Sequence, residues 1–578
     1  MTFVGTYGTN GFHLPFTDTT STTTLGYDTS GNGNNWTTNN ISLTAGSTYD
    51  SMNDVPTLTS ATASNYAVNN PSLGSTATLS NGNLTIVVGT SATKVLATIG
   101  MSSGKWYWEY SYTDLTGDGS CGIATAQTTI AAHVGSDAYS WGYIAGTGNK
   151  ANNSTSTAYG ASYTTGNVIG VAFDADAGTL TFYKNNTSQG TAFTGLTSGP
   201  YFPAFGDNAA GSSSTLWTNF GQQPFTYTPP TGYNALNTYN LPTPTIVRGN
   251  QYMDATLYNG IGVANTIMNA GSFQPDLVWI KDRSSNTSHR LQDTVRGVGN
   301  RLASDLTAAE NADSSSITSF NSNGFSVGTN VNYNGSSDAY VGWQWKGGGT
   351  AVSNTNGSIT STVSANTTSG FSIVTYTNAS SGTVGHGLGV APAMVIYKDR
   401  TNATNWIVLH QSLTNMSTYY LTLNTSNAVT SGIALGGNPT SSVIYTNTNI
   451  IQNSAASVAY CFAQIAGFSA FGSYVGNGST DGPFIYTGFR PKFILTKDIT
   501  TSSYWWEMVD STRSPYNFAD KALYANVSDA EYSSSTYNKN LLSNGFKISN
   551  TNGGDNTSGS TYIYMAFAEN PFRNALAR

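Results

Sequence analysis

Charge is what this chain has least of: Asp, Glu, Lys and Arg make up 9% of its 578 residues, against roughly 25% in ordinary globular proteins. The formal net charge is −7 and the Lys and Arg residues are scattered, so there is no basic footprint for a phosphate backbone and nucleic acid is not an expected partner. Cysteine is nearly absent. Cys121 and Cys461 stand far apart, each inside a strand-like run, and read as small buried hydrophobes rather than a disulfide or metal pair. The histidines, His13, His133, His289, His386 and His410, are dispersed without His-x-x-x-His spacing, and no Cys-x-x-Cys occurs. No metal and no cofactor is therefore expected. Nowhere do about 18 apolar residues run together, and Met1-Thr-Phe-Val has neither the basic nor the apolar region of a signal peptide. Membrane insertion and secretion are not expected. Helix signals are also scarce; the exception, from Asn300 to Glu310, reads as a short surface helix or a loop.

What the chain does have is aromatic residues, at 12%, set among β-branched residues and Gly or Asn turns. That content argues against disorder and for short strands joined by tight loops. The fold class expected is all-β and multi-domain. Between about 66 and 228, strands can be traced at Leu84–Val88, Gly104–Tyr110, Cys121–Ala124, Trp141–Ile144, Val168–Phe173, Thr179–Tyr183, Tyr201–Phe205 and Ser214–Phe220. Their near-regular spacing predicts a β-sandwich. Asp174-Ala-Asp176-Ala-Gly178 predicts a hairpin turn in which Gly178 takes a positive φ.

The last 310 or so residues contain one unit three times. Its copies open at Phe273-Gln-Pro275, Val390-Ala-Pro392 and Phe489-Arg-Pro491 and reach Lys281-Asp282, Lys398-Asp399 and Lys497-Asp498. Each then runs to a strand of glycine plus alternating apolar residues, starting at Gly324, Gly432 and Gly545, and to a closing strand at Tyr340–Trp345, Val458–Ala463 and Tyr562–Phe567. Such repetition points to a modular array built to extend, display or bind. The organisation expected is an N-terminal extended or β attachment segment at 1–65, a sandwich at 66–228, a Pro-rich linker at 229–252, and β repeats at 253–349, 366–466 and 467–578.

Recurrence inside the chain also singles out candidate residues. The Lys-Asp pair survives in all three copies; it reads as a strand-end turn or salt bridge, or as a pair grasping a carbohydrate. Fourteen residues after each proline stand His289, Trp406 and Trp505, and eighteen to nineteen after it Asp293, His410 and Asp510. Tyr504-Trp505-Trp506 is the richest aromatic patch, since such rings stack on sugars and favour interfaces. The candidate ligand-binding residues are thus Tyr504, Trp505, Trp506, Trp406 and His289, with core or subunit-interface positions as the competing reading. Catalysis is not expected. Gly100-Met-Ser102-Ser-Gly104 joins two strands, so it is a turn rather than a nucleophile elbow. Asp174 and Asp176 share a hairpin turn, while Asp293 and Glu310 would need an unseen geometry to act across a glycosidic bond. Asp28, Asn32 and Asn34 read as an Asx-turn, with a Ca²⁺ loop as the sharper alternative.

Two resemblances follow. Gly104-Lys-Trp-Tyr-Trp-Glu109, Gly170-Val-Ala-Phe-Asp174, Gly178-Thr-Leu-Thr-Phe-Tyr183, Tyr201-Phe-Pro-Ala and Asn219-Phe-Gly221-Gln222 resemble, in order, the SPRY domain. This resemblance implies a concanavalin-like sandwich that binds partners through loops at one end and carries no catalytic centre. The opening Leu25-Gly-Tyr-Asp28 with Ser30-Gly-Asn-Gly and Trp36, the segment Asp50-Ser-Met to Asp54-Val-Pro-Thr57, the sandwich and the Lys-Asp repeats together resemble virion proteins of marine tailed phages, usually tail fibres. That resemblance implies a virion protein made in the host cytoplasm, homotrimeric by analogy, partnered by other virion proteins and by a host-surface glycan or protein. A head fibre, decoration or tail-assembly protein, and a capsule-degrading enzyme, are the alternatives.

Overall fold

The computed structural model describes residues 5–46, 48–89, 91–116, 118–208 and 213–574. The chain divides into two compact units, Met1–Pro242 and Thr243–Arg578. Both are built from sheets that are antiparallel apart from the short parallel pairing of Asn234–Ala235 with Trp106 and Tyr107 in the first unit.

In the first unit, one sheet runs Thr78–Ser80, Thr85–Val88, Ser214–Asn219, Lys105–Leu115, Val168–Asp174, Thr179–Lys184, Thr187–Phe193. The other runs Thr93–Leu96, Phe202–Asp207, Gly119–Ala124, Ser140–Ile144, Lys150–Asn152, Thr155–Thr157. Tyr110 and Tyr112 from the first meet Phe205 from the second at ring distances of 6.3 and 6.1 Å, which makes the pair a sandwich. Cys121 is buried in this unit and Cys461 in the other, and burial pushes each thiol up to about 12. The hairpin forms at Asp174, whose Oδ1 accepts from the backbone of Asp176 and Ala177 at 3.1 and 2.9 Å. Gly178 there has φ 64°, and a Cβ would lie 2.8 Å from Leu196 N. Buried Glu109 accepts from Thr226 N at 2.8 Å and Tyr227 N at 2.9 Å, tying the segment after the last strand onto the sheet. Nearer the N-terminus, Asp28 accepts from His13 N, Ser30 N, Ser30 Oγ and Asn34 N at 2.7–2.9 Å. The Asn32 and Asn34 amides donate to the carbonyls of Gly8, Thr9 and Gly11. That is an Asx-turn extended into a loop clasp, with the carboxylate oxygens already serving N–H and O–H donors.

The three copies of the second unit share one strand order. The main sheet of the first copy runs Met253–Asn259, Ala339–Trp345, Leu277–Asp282, Arg290–Asp293. Its counterparts are Phe371–Thr377, Ala456–Phe462, Met394–Asp399, Ile407–His410 in the second and Ser469–Val475, Thr561–Pro571, Phe489–Asp498, Glu507–Asp510 in the third. Side chains alternate across each sheet, as strand geometry requires. Leu277 and Trp279 enter a core shared by all copies, while Val278 and Ile280 enter one of the first copy's own. Met394 and Ile396 likewise face the shared core, and Val395 and Tyr397 a separate one. At its centre Trp345 meets Phe462 at 6.3 Å and Phe493 at 5.7 Å, and Phe462 meets Phe567 at 6.0 Å, so rings of all three copies touch. The copies thus close on one another, whereas an extended array would leave the first and third apart.

A smaller ladder covers the outer face of each sheet: Asn265–Met268 with Gly324–Val327, Ser381–Gly385 with Val443–Asn447, and Phe484–Tyr486 with Gly545–Ile548. This corrects the expectation for the second copy, where Val443–Asn447 and not the Gly432 segment is the counterpart. At Gly324 and Gly545 a Cβ would lie 2.0 and 2.1 Å from the carbonyl oxygens of Ile267 and Ile485 on the facing strand. In the second copy Val443 takes that place, opposite Gly385, whose own Cβ would meet the Asn354 side chain, so register and not glycine marks the counterpart. Between Asn300–Arg301 and Asn311–Ala312, which pair, the chain is loop rather than helix.

Candidate functional site

The recurrent Lys-Asp pair ends the strand that carries it. Each aspartate takes the two backbone N–H groups of its turn: Asp282 from Ser284 and Ser285, Asp399 from Thr401 and Asn402, Asp498 from Thr500 and Thr501, at 2.7–3.1 Å. The lysines are fully buried and donate to carbonyls. Lys398 reaches Thr404 O at 2.7 Å and, in the first copy, Thr307 O at 2.8 Å. Lys497 reaches Tyr504 O at 2.9 Å and, in the second copy, Ser426 O at 3.1 Å. Lys281 reaches Ser285 O at 3.1 Å and also Asp282 O. Burial pushes all three ammonium groups down to about 8. The pair is a structural turn whose lysine, in the second and third copies, also stitches neighbouring copies, and with its ammonium buried it is closed to a carbohydrate.

The other aligned positions close the ring. Trp406 Nε1 donates to Ala303 O of the first copy at 2.9 Å, Trp506 Nε1 to Thr422 O of the second at 3.0 Å, and His289 Nε2 to Tyr524 O of the third at 2.8 Å. Strand pairing makes the three acceptors equivalent: Thr422 lies opposite Ile407 as Tyr524 lies opposite Glu507, and Ala303 follows the Leu291–Leu302 bridge. Each copy therefore bonds the one before it, and the first bonds the last. Two seams add an ion pair: Arg400 grips Glu310 through two bonds at 3.0 and 2.6 Å, and Arg283 grips Glu531 at 2.9 and 2.7 Å. The third puts Ile499 and Val429 there and keeps only the backbone bond, Val429 N to Ile499 O at 3.1 Å.

The ligand-binding expectation is corrected for His289, Trp406 and Trp506, which are 0–1% exposed and spend their polar atoms on seams. Counting from the proline also pairs the wrong tryptophan with His289 and Trp406. The third hairpin is one residue longer, so Trp506 takes the seam and Trp505 is turned outward, 37% exposed, beside a half-buried Tyr504. Asp293 and Glu310 do come together, but around buried Arg296, at 2.5 Å from its Nε and 2.8 Å from its Nη1. In the third copy Asp510 and Glu531 hold Arg513 in the same way. In the second, His410 donates from Nε2 to Tyr564 O at 3.1 Å, and burial pushes it down to about 4.

Trp505 begins a strip of rings. Its ring lies 4.8 Å from Tyr524, Tyr524 lies 5.8 Å from Tyr532 and 6.2 Å from Tyr537, and Tyr532 lies 6.2 Å from Tyr537. Trp505 and Tyr532 are each 37% exposed on either side of the buried Tyr524. The Tyr532 hydroxyl donates to Asp529 at 2.8 Å. Beneath the strip, Lys539 sits between Glu507 at 2.5 Å and Asp555 at 2.7 Å, all buried; burial, with Asp555 adding to it, pushes Glu507 up to about 8. The positions of Trp505, Tyr524 and Tyr532 are held by Ser288, Ala303 and Asn311 in the first copy and by Asn405, Thr422 and Thr430 in the second. The frame itself therefore does not need aromatics there. Tyr524 and Tyr532 escaped the sequence reading because only strand register brings them to Trp505; the signal available was a run of tyrosines, Tyr524, Tyr532 and Tyr537, confined to the last copy.

Comparison with known families places both units. Residues 248–571 match the family model described as "Domain of unknown function (DUF7483)", over more than half of the chain. The chain belongs to the DUF7483 family. In this DUF7483 protein, residues 105–223 also match the SPRY domain, in agreement with the sandwich expected from the sequence. Curated relatives include a probable ATP-dependent RNA helicase ddx1 of Dictyostelium discoideum, 34% identical over 131 residues, which are 22% of this chain and 16% of that protein. Another is Ran-binding protein 10 of Danio rerio, 33% identical over 127 residues, 22% of this chain and 20% of that protein. The DUF7483 chain thus spans about a sixth to a fifth of the length of these relatives. Among solved structures, the SPRY domain of human HERC1 is 20% identical, with a TM-score of 0.24, over 26% of this chain and 96% of that one. The PSpry domain of TRIM65 is 19% identical, with a TM-score of 0.23, over 26% and 91%.

Proposed function

We propose that this protein is a non-catalytic part of a virion appendage, a tail fibre or similar structure, that binds the host surface through the ring strip of its third copy. The observation that carries this reading is the confinement of Trp505 and Tyr532 to one of three equivalent positions. A ring-closed frame that stands on Ser288 and Asn311, or on Asn405 and Thr430, has no structural use for two exposed aromatics. Exposed Trp and Tyr beside hydrogen-bonding groups are the side chains from which interface hot spots are built. The overall resemblance to phage virion proteins supplies the setting, with other virion proteins as partners. Oligomerisation, as a homotrimer, would add avidity to weak single contacts.

The test is labelling of host cells by the fluorophore-tagged full chain, wild type against a Trp505→Ala/Tyr532→Ala variant. Loss of two anchor rings is expected to weaken binding by ~30-fold or more, the equivalent of about 2 kcal/mol. The unfolding midpoint should barely move. Equal labelling by both proteins would refute the reading.

A further inference from the structure

Independently of the strip, we infer that the third copy locks itself with an amide bond between the Lys539 side chain and the carboxyl group of Asp555, with Glu507 as the proton carrier. Lys539 opens the outer strand Lys539–Leu542, Glu507 opens the main-sheet strand Glu507–Asp510, and Asp555 lies in the short helix Gly553–Asn556. Lys539 Nζ stands 2.7 Å from Asp555 Oδ2 and 2.5 Å from Glu507 Oε1, and the three side chains are 0–2% exposed. Backbone bonds fix both reacting residues: Lys539 exchanges N–H···O bonds with Ala519 at 3.0 and 2.8 Å, and Asp555 N donates to Asn552 O at 3.0 Å. The frame does not need this trio. In the first copy, strand register puts Ile317 at the place of Lys539, and the matching helix Val331–Asn334 puts Tyr333 at that of Asp555. Both belong to that copy's own apolar core. Since apolar residues commonly fill such a site without loss of stability, three enclosed ionisable groups call for a chemical use.

The chemistry is a condensation. An amine held against a carboxyl oxygen has the carboxyl carbon as its next neighbour, and groups fixed in such a geometry react as though each were present at about 10⁵ M or more. Burial pushes the Lys539 ammonium down, but Asp555 and then Glu507 outweigh it and hold it up, so its protons stay within the trio. Burial, and after it the charge of Asp555, pushes Glu507 up, so this carboxyl holds a proton beside the reacting pair. Lys539 passes one proton to Asp555 Oδ2, and the freed lone pair on Nζ attacks Cγ. Charge collects on Oδ1, which accepts from Thr496 Oγ1 at 3.3 Å, while Asn550 Nδ2 lies 3.4 Å from Oδ2. Oδ2 takes the Glu507 proton and departs as water, the amide forms as the charge on Oδ1 returns, and Glu507 recovers a proton from the nitrogen. In total an ammonium and a carboxylate become an amide and one water, with no oxidant and no further reactant. Enclosure keeps bulk water from competing with the amine and from hydrolysing the product. The bond closes residues 539–555 into a covalent loop that contains Gly545–Ile548 and so fastens the outer ladder.

The experiment is intact-mass spectrometry of the denatured full chain, followed by digestion with trypsin. Loss of one water is expected to put the chain about 18 Da below the mass of its sequence. Trypsin does not cut after an acylated lysine, so residues 522–547 are expected as one piece, branched to 548–573. A chain at full sequence mass that releases 522–539 unlinked overturns the inference, and so does a water loss confined to 548–573 without a branch. Glu507→Gln keeps the shape of the site but cannot carry the proton, and is expected to form the bond at least ~100-fold more slowly. Branching of that variant as fast as the wild type removes Glu507 from the step and overturns its assignment. Lys539→Met, an apolar chain where the first copy has Ile317, is expected at its full sequence mass; a water loss that persists in it places the reaction elsewhere and overturns the bond.

Discussion

The ion-pair seam between the first two copies offers a quantitative test. Arg400 and Glu310 are 21% and 14% exposed and joined by two parallel bonds. Two charges ~4 Å apart at an effective dielectric of about 20 attract by about 4 kcal/mol; desolvation and residual screening cut the net to about 2 kcal/mol. Arg400→Ile should therefore cost about 2 kcal/mol, since Glu310 keeps Arg296 at 2.8 Å. Glu310→Val should cost more, about 3–4 kcal/mol, because it strips a partner from both guanidinium groups, one of them fully buried. The double variant, which copies the Ile499–Val429 seam, should cost little more than Glu310→Val alone, leaving a coupling of about 2 kcal/mol. Urea unfolding followed by tryptophan fluorescence measures all three. If the single costs simply add to the double within about 0.5 kcal/mol, the pair contributes nothing and the account of the seam is wrong.

Two pH dependences follow from the buried bases. His410 sits folded at about 4 because burial favours the neutral ring, so its stability contribution is complete above the ordinary value of 6.5 and is lost as pH falls toward 4. His410→Gln, which keeps a donor for Tyr564 O, should flatten the fall of the unfolding midpoint between pH 6.5 and 4.5. The three strand-end lysines, folded at about 8 against 10.5, release protons on folding, so stability should rise with pH between 8 and 10 by up to ~1.4 kcal/mol per pH unit for each lysine. Lys398→Met should remove about a third of that slope, and a midpoint that falls from pH 8 to 9.5 would contradict the downward push that burial exerts on these ammonium groups.

Much of the fold was legible because strand alternation and turn residues are local signals. The sandwich strands, the Gly178 hairpin and the strand-ending role of Asp282, Asp399 and Asp498 all rest on a few adjacent residues. What was not legible depended on register or on contacts far apart in the chain. A single extra residue in the third hairpin exchanged Trp505 for Trp506, sending one ring outward and the other into a seam. In the second copy Val443 stands where the other two carry glycine, so matching on glycine picked the wrong segment. The lysines read as members of a strand-end turn or salt bridge, and nothing local shows that Lys398 meets Thr307 or that Lys497 meets Ser426. At the site, Trp505 was readable as an aromatic in a patch, but Tyr524 and Tyr532 join it only through the pairing of three strands.

The closure of three copies into one structure is best tested by hydrogen exchange of the full chain carrying Trp406→Phe, which deletes the indole N–H shared by Ala303 O and Leu306 O and leaves Ala303 O with the Leu306 N–H alone, at a cost of about 0.5–1.5 kcal/mol. Closure predicts that protection falls together in Leu277–Asp282, Met394–Asp399 and Phe489–Asp498, although the third of these lies in the copy the substitution does not touch. Loss of protection confined to the first two copies, with Phe489–Asp498 unchanged, would contradict it and restore a chain of independent modules.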